Sequence, residues 1–542
     1  MCCFKVLLPP PCSCNQAAVR RKPLSDRGIP MKQIEDMYMK SPAINNNGLS
    51  KDAGLGISDL RVAAVLVFVI LNLAVFLIRL ISVWRYGALF PTTGGEPVVI
   101  YSVWKGVHHL PIYEWPLAFP FSRAPYNYLF FETYAFFLRL VGANGPEIMT
   151  WGRLFTPVFA IVGAIAQWKL VQIHLNLRGA RSALSLLFAL GLWFCASIVR
   201  QWAITIRPDM TACALVMIAL CMVVLKPRFG FAYAGVLFYL AWSFKQSEVL
   251  AFGGVCLFLL FHKRWRDLSV LVAVFAVLAA ATIFLGTPEY RFNILVAPRL
   301  IAWSVMWALP IATKSLIANA YWILAPIALL LAAGKQRVDN TARLLTTVLA
   351  VALVGGLAGM TKVGSWDHYL LEAFVAGSTL LQMAVFAAPG RLLTALVLFG
   401  CAQPAVQLAA TQSGTHQHAL GTVGIASAAE YADAVALRAR LASMNKPIFT
   451  TDEIFSLPWF STGNRAPALV LDPLFHEATR ASCQNGCVEG MLRKGEFPTV
   501  MLLSSGDVYQ SSLSPDYEKV GEAPDSGRAW SIYALKHRTP TP

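Results

Sequence analysis

Arg207 to Leu225 reads RPDMTACALVMIALCMVVL, a charged tripeptide opening a run that carries no further charge before Lys226. A long stretch of this kind is read as a membrane-spanning helix, and charge held at its mouth is costly enough to imply a task. The rest of the chain agrees. Of 542 residues, 56% are hydrophobic and only 14% charged, where a soluble protein carries roughly 25% charge. The formal charge of +16 does not point to nucleic acid. Lys and Arg gather at the ends of apolar segments instead of forming a stripe between aromatics, so they carry topology.

Working outward, a window of about 19 residues finds apolar spans at 61–85, 150–172, 182–199, 209–226, 231–244, 249–262, 268–286, 317–333, 344–360, 369–388 and 391–410. The expectation is an α-helical polytopic membrane protein of about 11 transmembrane helices. Residues 231–262 as one helix would run roughly 45 Å, against a hydrocarbon core of about 30 Å. Lys245-Gln246-Ser247-Glu248 in their middle predicts a helical hairpin.

Basic residues fall in alternate loops: Arg20, Arg21, Lys22 and Arg27; Lys169, Arg178 and Arg181; Lys226 and Arg228; Lys263, Arg264 and Arg266; Lys335, Arg337 and Arg343; Arg391. By the positive-inside rule these loops and the N-terminus are cytoplasmic. The opposite set then faces outward: a long loop at 86–149, the Arg-Pro-Asp turn, the Lys245 turn, a loop at 287–316, the turn at 361–368, and a tail from 411.

The tail is richer in Asp, Glu, Ser and Pro, with short apolar runs such as Ala468 to Leu471 and Val500 to Leu503 between turn signals. It reads as a small soluble extracytoplasmic α/β domain over 411–542. Cys483 and Cys487 flank Gln-Asn-Gly there, so a local bridge or two unpaired thiols are both open. Residues 1–60, with Cys2, Cys3, Cys12 and Cys14, read as a disordered cytoplasmic segment without an assigned role; Met31 is an alternative start.

Chemistry is sought in the outward loops. Glu114 follows Ile112-Tyr113 among aromatics, where limited hydration raises basicity and suits a general base. The plainer reading makes Tyr113, Trp115, Phe119, Phe121 and Tyr126 an interfacial belt. Arg207 and Asp209 bracket Pro208, either holding an anion or, more plainly, snorkelling and capping. Lys245 can hold a phosphate as a point charge with Gln246 beside it, or anchor to headgroups. His368 and Glu372 share a helix face, with Tyr369 toward the aromatic boundary. Glu372 lies inside an apolar span, where an acid is seldom idle. Arg299 lies in the Pro-rich outer loop, with Tyr290, Arg291 and Lys314.

The order Pro-Ile-Tyr-Glu (111–114), Arg-Pro-Asp (207–209), Lys-Gln (245–246) and His-Tyr-Leu-Leu-Glu (368–372) resembles the C-type integral-membrane glycosyltransferases. The likeness is to the branch with protein O-mannosyltransferases and the bacterial lipid A aminoarabinose transferase, over roughly 60–410 plus the outer domain. It implies a GT-C-like fold in a bacterial inner membrane. It also implies transfer of a sugar, with inversion, from a polyprenyl-phosphate donor to a glycan, lipid or protein acceptor. Glu114 would be the base, although the family usually has Asp there. Arg207, Asp209, Lys245, Gln246, Arg299, His368, Tyr369 and Glu372 would hold substrate and phosphate. A divalent cation is optional in the family; Glu114, His108 and His109 are the residues to hold one. A transporter or flippase is the alternative, since intramembrane Glu372 and Lys245 suit either; an internal repeat would favour it, and none is visible in the sequence.

Overall fold

The computed structural model describes residues 55–87, 95–118, 121–196, 198–225, 229–333, 339–387, 391–412, 428–443, 448–450, 475, 479, 487–504, 509–525 and 528–536. The expectations for residues 1–54, including the cysteines and Met31, lie outside them, as does Cys483. Apolar runs fold as helices because a bilayer leaves each backbone N–H and C=O to be satisfied within its own segment. They are α1 (Leu55–Tyr86), α2 (Glu96–Val107), α3 (Tyr128–Leu140), α4 (Glu147–His174), α5 (Gly179–Cys195), α6 (Asp209–Leu225), α7 (Gly230–Phe244), α8 (Leu250–Phe261) and α9 (Trp265–Leu285). After the outer loop come α10 (Val305–Ala318), α11 (Ala325–Ala333), α12 (Asn340–Met360), α13 (Leu371–Ala387) and α14 (Arg391–Gln412).

Five of the described helices have the length and apolarity to cross a membrane; α5, α6, α7, α8, α10 and part of α14 are apolar but shorter. Burial sorts them. Only 6% of the most apolar window of α9 is buried, against 94% for the segment Asp367–Ala387 containing α13. So α9 turns its side chains to lipid, and α13 is the axis of the bundle. Polar side chains knit α13 to its neighbours. Gln167 of α4 donates to Gln382 of α13 at 2.8 Å and accepts from Trp193 of α5 at 2.8 Å and from Ser378 at 2.9 Å. Gln382 in turn donates to the Ser185 hydroxyl at 2.8 Å. Such bonds join helices where apolar packing alone discriminates poorly between partners.

Two expectations change. The outer loop 86–149 is not irregular throughout: α2 and α3 lie in it, α2 opening with Glu96 and Pro97 in its first turn. The expected span 317–333 is broken. Asn319 donates its side-chain amide to Ser315 O at 2.8 Å and accepts the Trp322 indole N–H at 2.9 Å, ending α10 at Ala318. Pro326, which has no N–H to give, then starts α11. The hairpin over 231–262 holds, with α7 and α8 separated by the turn at 245–249.

The tail forms a four-stranded sheet, β1 (Ile448–Thr450), β2 (Thr499–Leu503), β3 (Tyr517–Asp525) and β4 (Arg528–Leu535), in the order β1-β2-β4-β3. β1 runs parallel to β2 and the other pairs are antiparallel. Alternation along β2 serves two layers. Met501 packs with Trp530, Ile532 and, from helix α15 (Ala428–Ser443), Ala434 and Leu437. Val500 and Leu502 pack with Val488 and Leu492 of α16 (Cys487–Lys494). One further ring, that of Phe121 from the outer loop, completes this second layer. Phe121 is a non-glycine residue at φ +59°, a left-handed backbone that costs an L-residue roughly 1–2 kcal/mol.

Candidate active site

At one end of the bundle the chain leaves α5, makes a 3-10 turn at Trp202–Ile204 and enters α6 at Asp209. Pro208 fits here because its carbonyl starts the helix, accepting from Ala212 N at 2.9 Å. Arg207 donates through Nε to Asp209 Oδ2 at 3.0 Å, and Lys245 Nζ meets Asp209 Oδ1 at 2.8 Å. Lys245 also donates to Glu248 Oε1 at 2.6 Å. Burial works against the Lys245 charge, yet Asp209 and Glu248 more than offset it and hold its pKa above the ordinary lysine range. Burial pushes the Glu248 carboxyl up, with Lys245 pulling the other way.

Both cations face rings. The Arg207 guanidinium lies 4.7 Å from the Trp202 ring centre and 5.5 Å from that of Tyr126, and Lys245 Nζ lies 5.6 Å from that of Tyr369. His368 packs edge-on against Trp202 at 5.2 Å. Among the described residues His368 Nδ1 and Gln246 Oε1 are buried without a hydrogen-bond partner, while the Trp202 indole faces the Asp367 carboxyl and Glu248 faces Glu372. Buried polar atoms are normally satisfied, so this pair marks the place where a polar ligand or water has something to bind.

Of the residues expected from the sequence, the structure gathers Arg207, Asp209, Lys245, His368 and Tyr369. Gln246 joins them by donating to Pro125 O at 2.8 Å, which ties the 245–249 turn to the outer loop. Glu372 accepts the N–H groups of Leu250 at 3.1 Å and Ala251 at 2.7 Å, so it caps α8 from α13. That is the buried hydrogen bond to another helix which an acid in a span requires. Arg299 is exposed.

Glu114 is placed differently from expectation. It is not a lone acid among aromatics: its carboxylate is 3.0 Å from Lys105 Nζ, in a pair where Lys105 is 1% and Glu114 29% exposed. Burial lowers the Lys105 pKa and Glu114 opposes the shift. The Glu114 carbonyl accepts from Asn293 at 2.9 Å, and Tyr113 donates to Tyr126 O at 2.7 Å, beneath Arg207. Through Tyr126 the Glu114 strand and the Arg207 turn share one neighbourhood.

His108 and Glu114 do not combine as ligands. His108 Nε2 is 2.9 Å from Asn144 O, Glu114 is engaged with Lys105, and among the described residues no group of three or more His, Cys, Asp or Glu side chains is arranged to hold a metal ion. Among the described residues these side chains do not make a divalent-cation site.

A further acid of the outer loop, Glu96, stands at the first turn of α2. In the structure it is fully buried, holds Arg153 of α4 through both oxygens at 3.0 and 2.6 Å, and accepts the Ile206 N–H at 3.1 Å. The acid thus stands one residue from Arg207. Its signal was Gly95-Glu96-Pro97, an acid and a proline placed as for a helix start.

No family model and no curated protein matches the sequence. Among solved structures the chain is similar to ArnT from Cupriavidus metallidurans bound to undecaprenyl phosphate. The identity is 13% and the TM-score 0.55, over 88% of this chain and 99% of that one. The apo state of the same ArnT aligns at 14% identity and TM-score 0.55, over 86% and 97%. The fold is that of ArnT. The likeness is one of fold, over nearly the whole length of both chains.

Proposed function

We propose that this protein transfers a sugar from a polyprenyl-phosphate carrier to an acceptor hydroxyl at the outer face of a bacterial inner membrane. The observation that carries the reading is the meeting of two buried cations, Arg207 and Lys245, on Asp209, on a fold that in ArnT was solved with undecaprenyl phosphate. The N-terminus is then cytoplasmic and the C-terminal domain lies outside, in keeping with the loop charges.

The acceptor O–H gives its proton to Glu114, the part-open acid paired with Lys105. The acceptor oxygen forms a bond to the anomeric carbon as the bond from that carbon to the phosphate oxygen breaks. One displacement inverts the carbon. The electron pair leaves on the polyprenyl phosphate, where Arg207 and Lys245 stabilise the developing charge without reorganising. Ring faces at Trp202, Tyr126 and Tyr369 keep water from these cations, which strengthens the effect.

The test is transfer in reconstituted membranes supplied with a panel of radiolabelled polyprenyl-phosphate sugars. Transfer by wild type that disappears in Glu114→Gln, with normal insertion, supports the reading. No transfer from any donor, with lipid or solute movement instead, overturns it in favour of a transporter.

A further inference from the structure

The C-terminal domain and the Lys105–Glu114 pair are linked by three consecutive residues. Phe121 lies in the core layer of the domain, with Phe449, Val488, Leu492, Phe497, Val500 and Leu502. Ser122, fully buried, accepts from Lys105 Nζ at 3.4 Å, and the same nitrogen donates to Glu114 at 3.0 Å. Arg123, 5% exposed, sets its guanidinium 5.3 Å from the Phe475 ring centre of the domain. Two side chains of this strand enter the domain and the one between them faces the ion pair.

The backbone shows that this arrangement is imposed. Phe121 adopts φ +59° and closes a turn by donating to Ala118 O at 2.7 Å. A bulky residue in the left-handed region persists only where its surroundings over-determine it. Here the surroundings are the apolar layer of a domain that begins some 300 residues later in the chain, as β1 starts at Ile448.

We infer that the C-terminal domain is a positioning element of the transfer site, with Phe121 as the plug through which its docking fixes Lys105 and thereby Glu114. The inference rests on Glu114 as the base for its catalytic consequence, but not for its structural one. With the plug in place, Ser122 is held against Lys105 and the carboxylate is presented at a fixed point. With the plug withdrawn, the strand 121–123 loses its anchor and the ion pair loses one wall. Phe121 and Phe475 touch no reacting atom; they act through Lys105.

Two readouts on the full-length protein in proteoliposomes test this in Phe121→Ala, Phe121→Leu and Phe475→Ala. The first is acylation of Lys105 by a membrane-impermeant amine reagent, read by mass spectrometry. Lys105 is expected to be protected in wild type and in Phe121→Leu, which refills the layer, and labelled in Phe121→Ala and Phe475→Ala. Other lysines should label as in wild type, which identifies variants that have folded. The second is transfer: Phe121→Ala should lose on the order of tenfold or more in kcat, as misplacement of a reacting group by about 1 Å does, with KM for the donor unchanged and Phe121→Leu restoring the rate. Protection of Lys105 in a folded Phe121→Ala overturns the inference, as does full kcat in a variant whose Lys105 is labelled. If wild type shows no transfer from any donor, the functional reading fails, and the labelling alone decides whether the plug fixes Lys105.

Discussion

Lys245 Nζ stands 2.8 Å from Asp209 Oδ1 and joins the end of α7 to the start of α6. Because Lys245 also holds Glu248, one ammonium bridges two buried carboxyl groups, and its removal takes a partner from both. Lys245→Ala is expected to destabilise the protein by about 3–5 kcal/mol, the cost of breaking a buried ion pair from one side. Thermal unfolding in detergent checks this. Lys245→Arg, which keeps the charge, should recover most of the stability while still impairing transfer, because its planar fork does not reproduce a point charge.

Glu96→Gln tests the anchor of the Arg-Pro-Asp turn. Arg153 would keep its charge in a site where both partners are 0% exposed, so a loss of about 3–5 kcal/mol is expected. The Ile206 N–H retains an acceptor in the amide oxygen, and the turn should stay folded. Transfer is expected to fall less steeply than in Glu114→Gln, and a side-by-side rate comparison decides it.

Gly356 permits α12 to approach the Tyr369 backbone. A Cβ there would lie 2.5 Å from Tyr369 O and 2.9 Å from Leu370 Cδ2. Gly356→Ala should therefore push the 3-10 turn at Asp367–Leu370 away, at roughly 1–3 kcal/mol. Tyr369 and Lys245 would separate, so a weaker donor affinity is expected alongside the lower melting temperature.

Glu248 supplies a pH test. Its folded-state pKa is raised by burial, so the folded protein binds a proton that the unfolded chain has released. Stability then falls as pH rises from the ordinary carboxylate range through the raised value. Glu248→Gln cannot titrate and should give a flatter curve of melting temperature against pH over that window. A wild-type curve that is equally flat would remove Glu248 from the explanation.

The bundle was legible in the sequence because its signal is the solvent's own demand: apolar length and the side on which Lys and Arg collect. The hairpin at Lys245 followed from length and from the charged Lys245-Gln246-Ser247-Glu248 stretch in its middle. Where side chains compete with the backbone the reading failed, as at Asn319, whose amide and carbonyl each take a local partner and stop a helix that hydropathy would continue. The site was legible as an ordered set of motifs, which brought together Arg207, Asp209, Lys245 and Tyr369. It was not legible as pairs. That Glu114 meets Lys105 and Glu96 meets Arg153 depends on contacts across α2 and α4, in a stretch where aromatics and prolines hide the helical period. Glu372, expected at the site, stands beside Glu248 there and also satisfies two backbone donors, a role that depends on which helix end faces it.

That role ties the head of α8 to a late part of the chain. The Leu250 amide finds its acceptor on a carboxylate 122 residues further along. The α7–α8 hairpin and α13 therefore hold one another in register at the charged end of the bundle, because sliding either past the other would strip the Leu250 and Ala251 N–H groups of their buried acceptor.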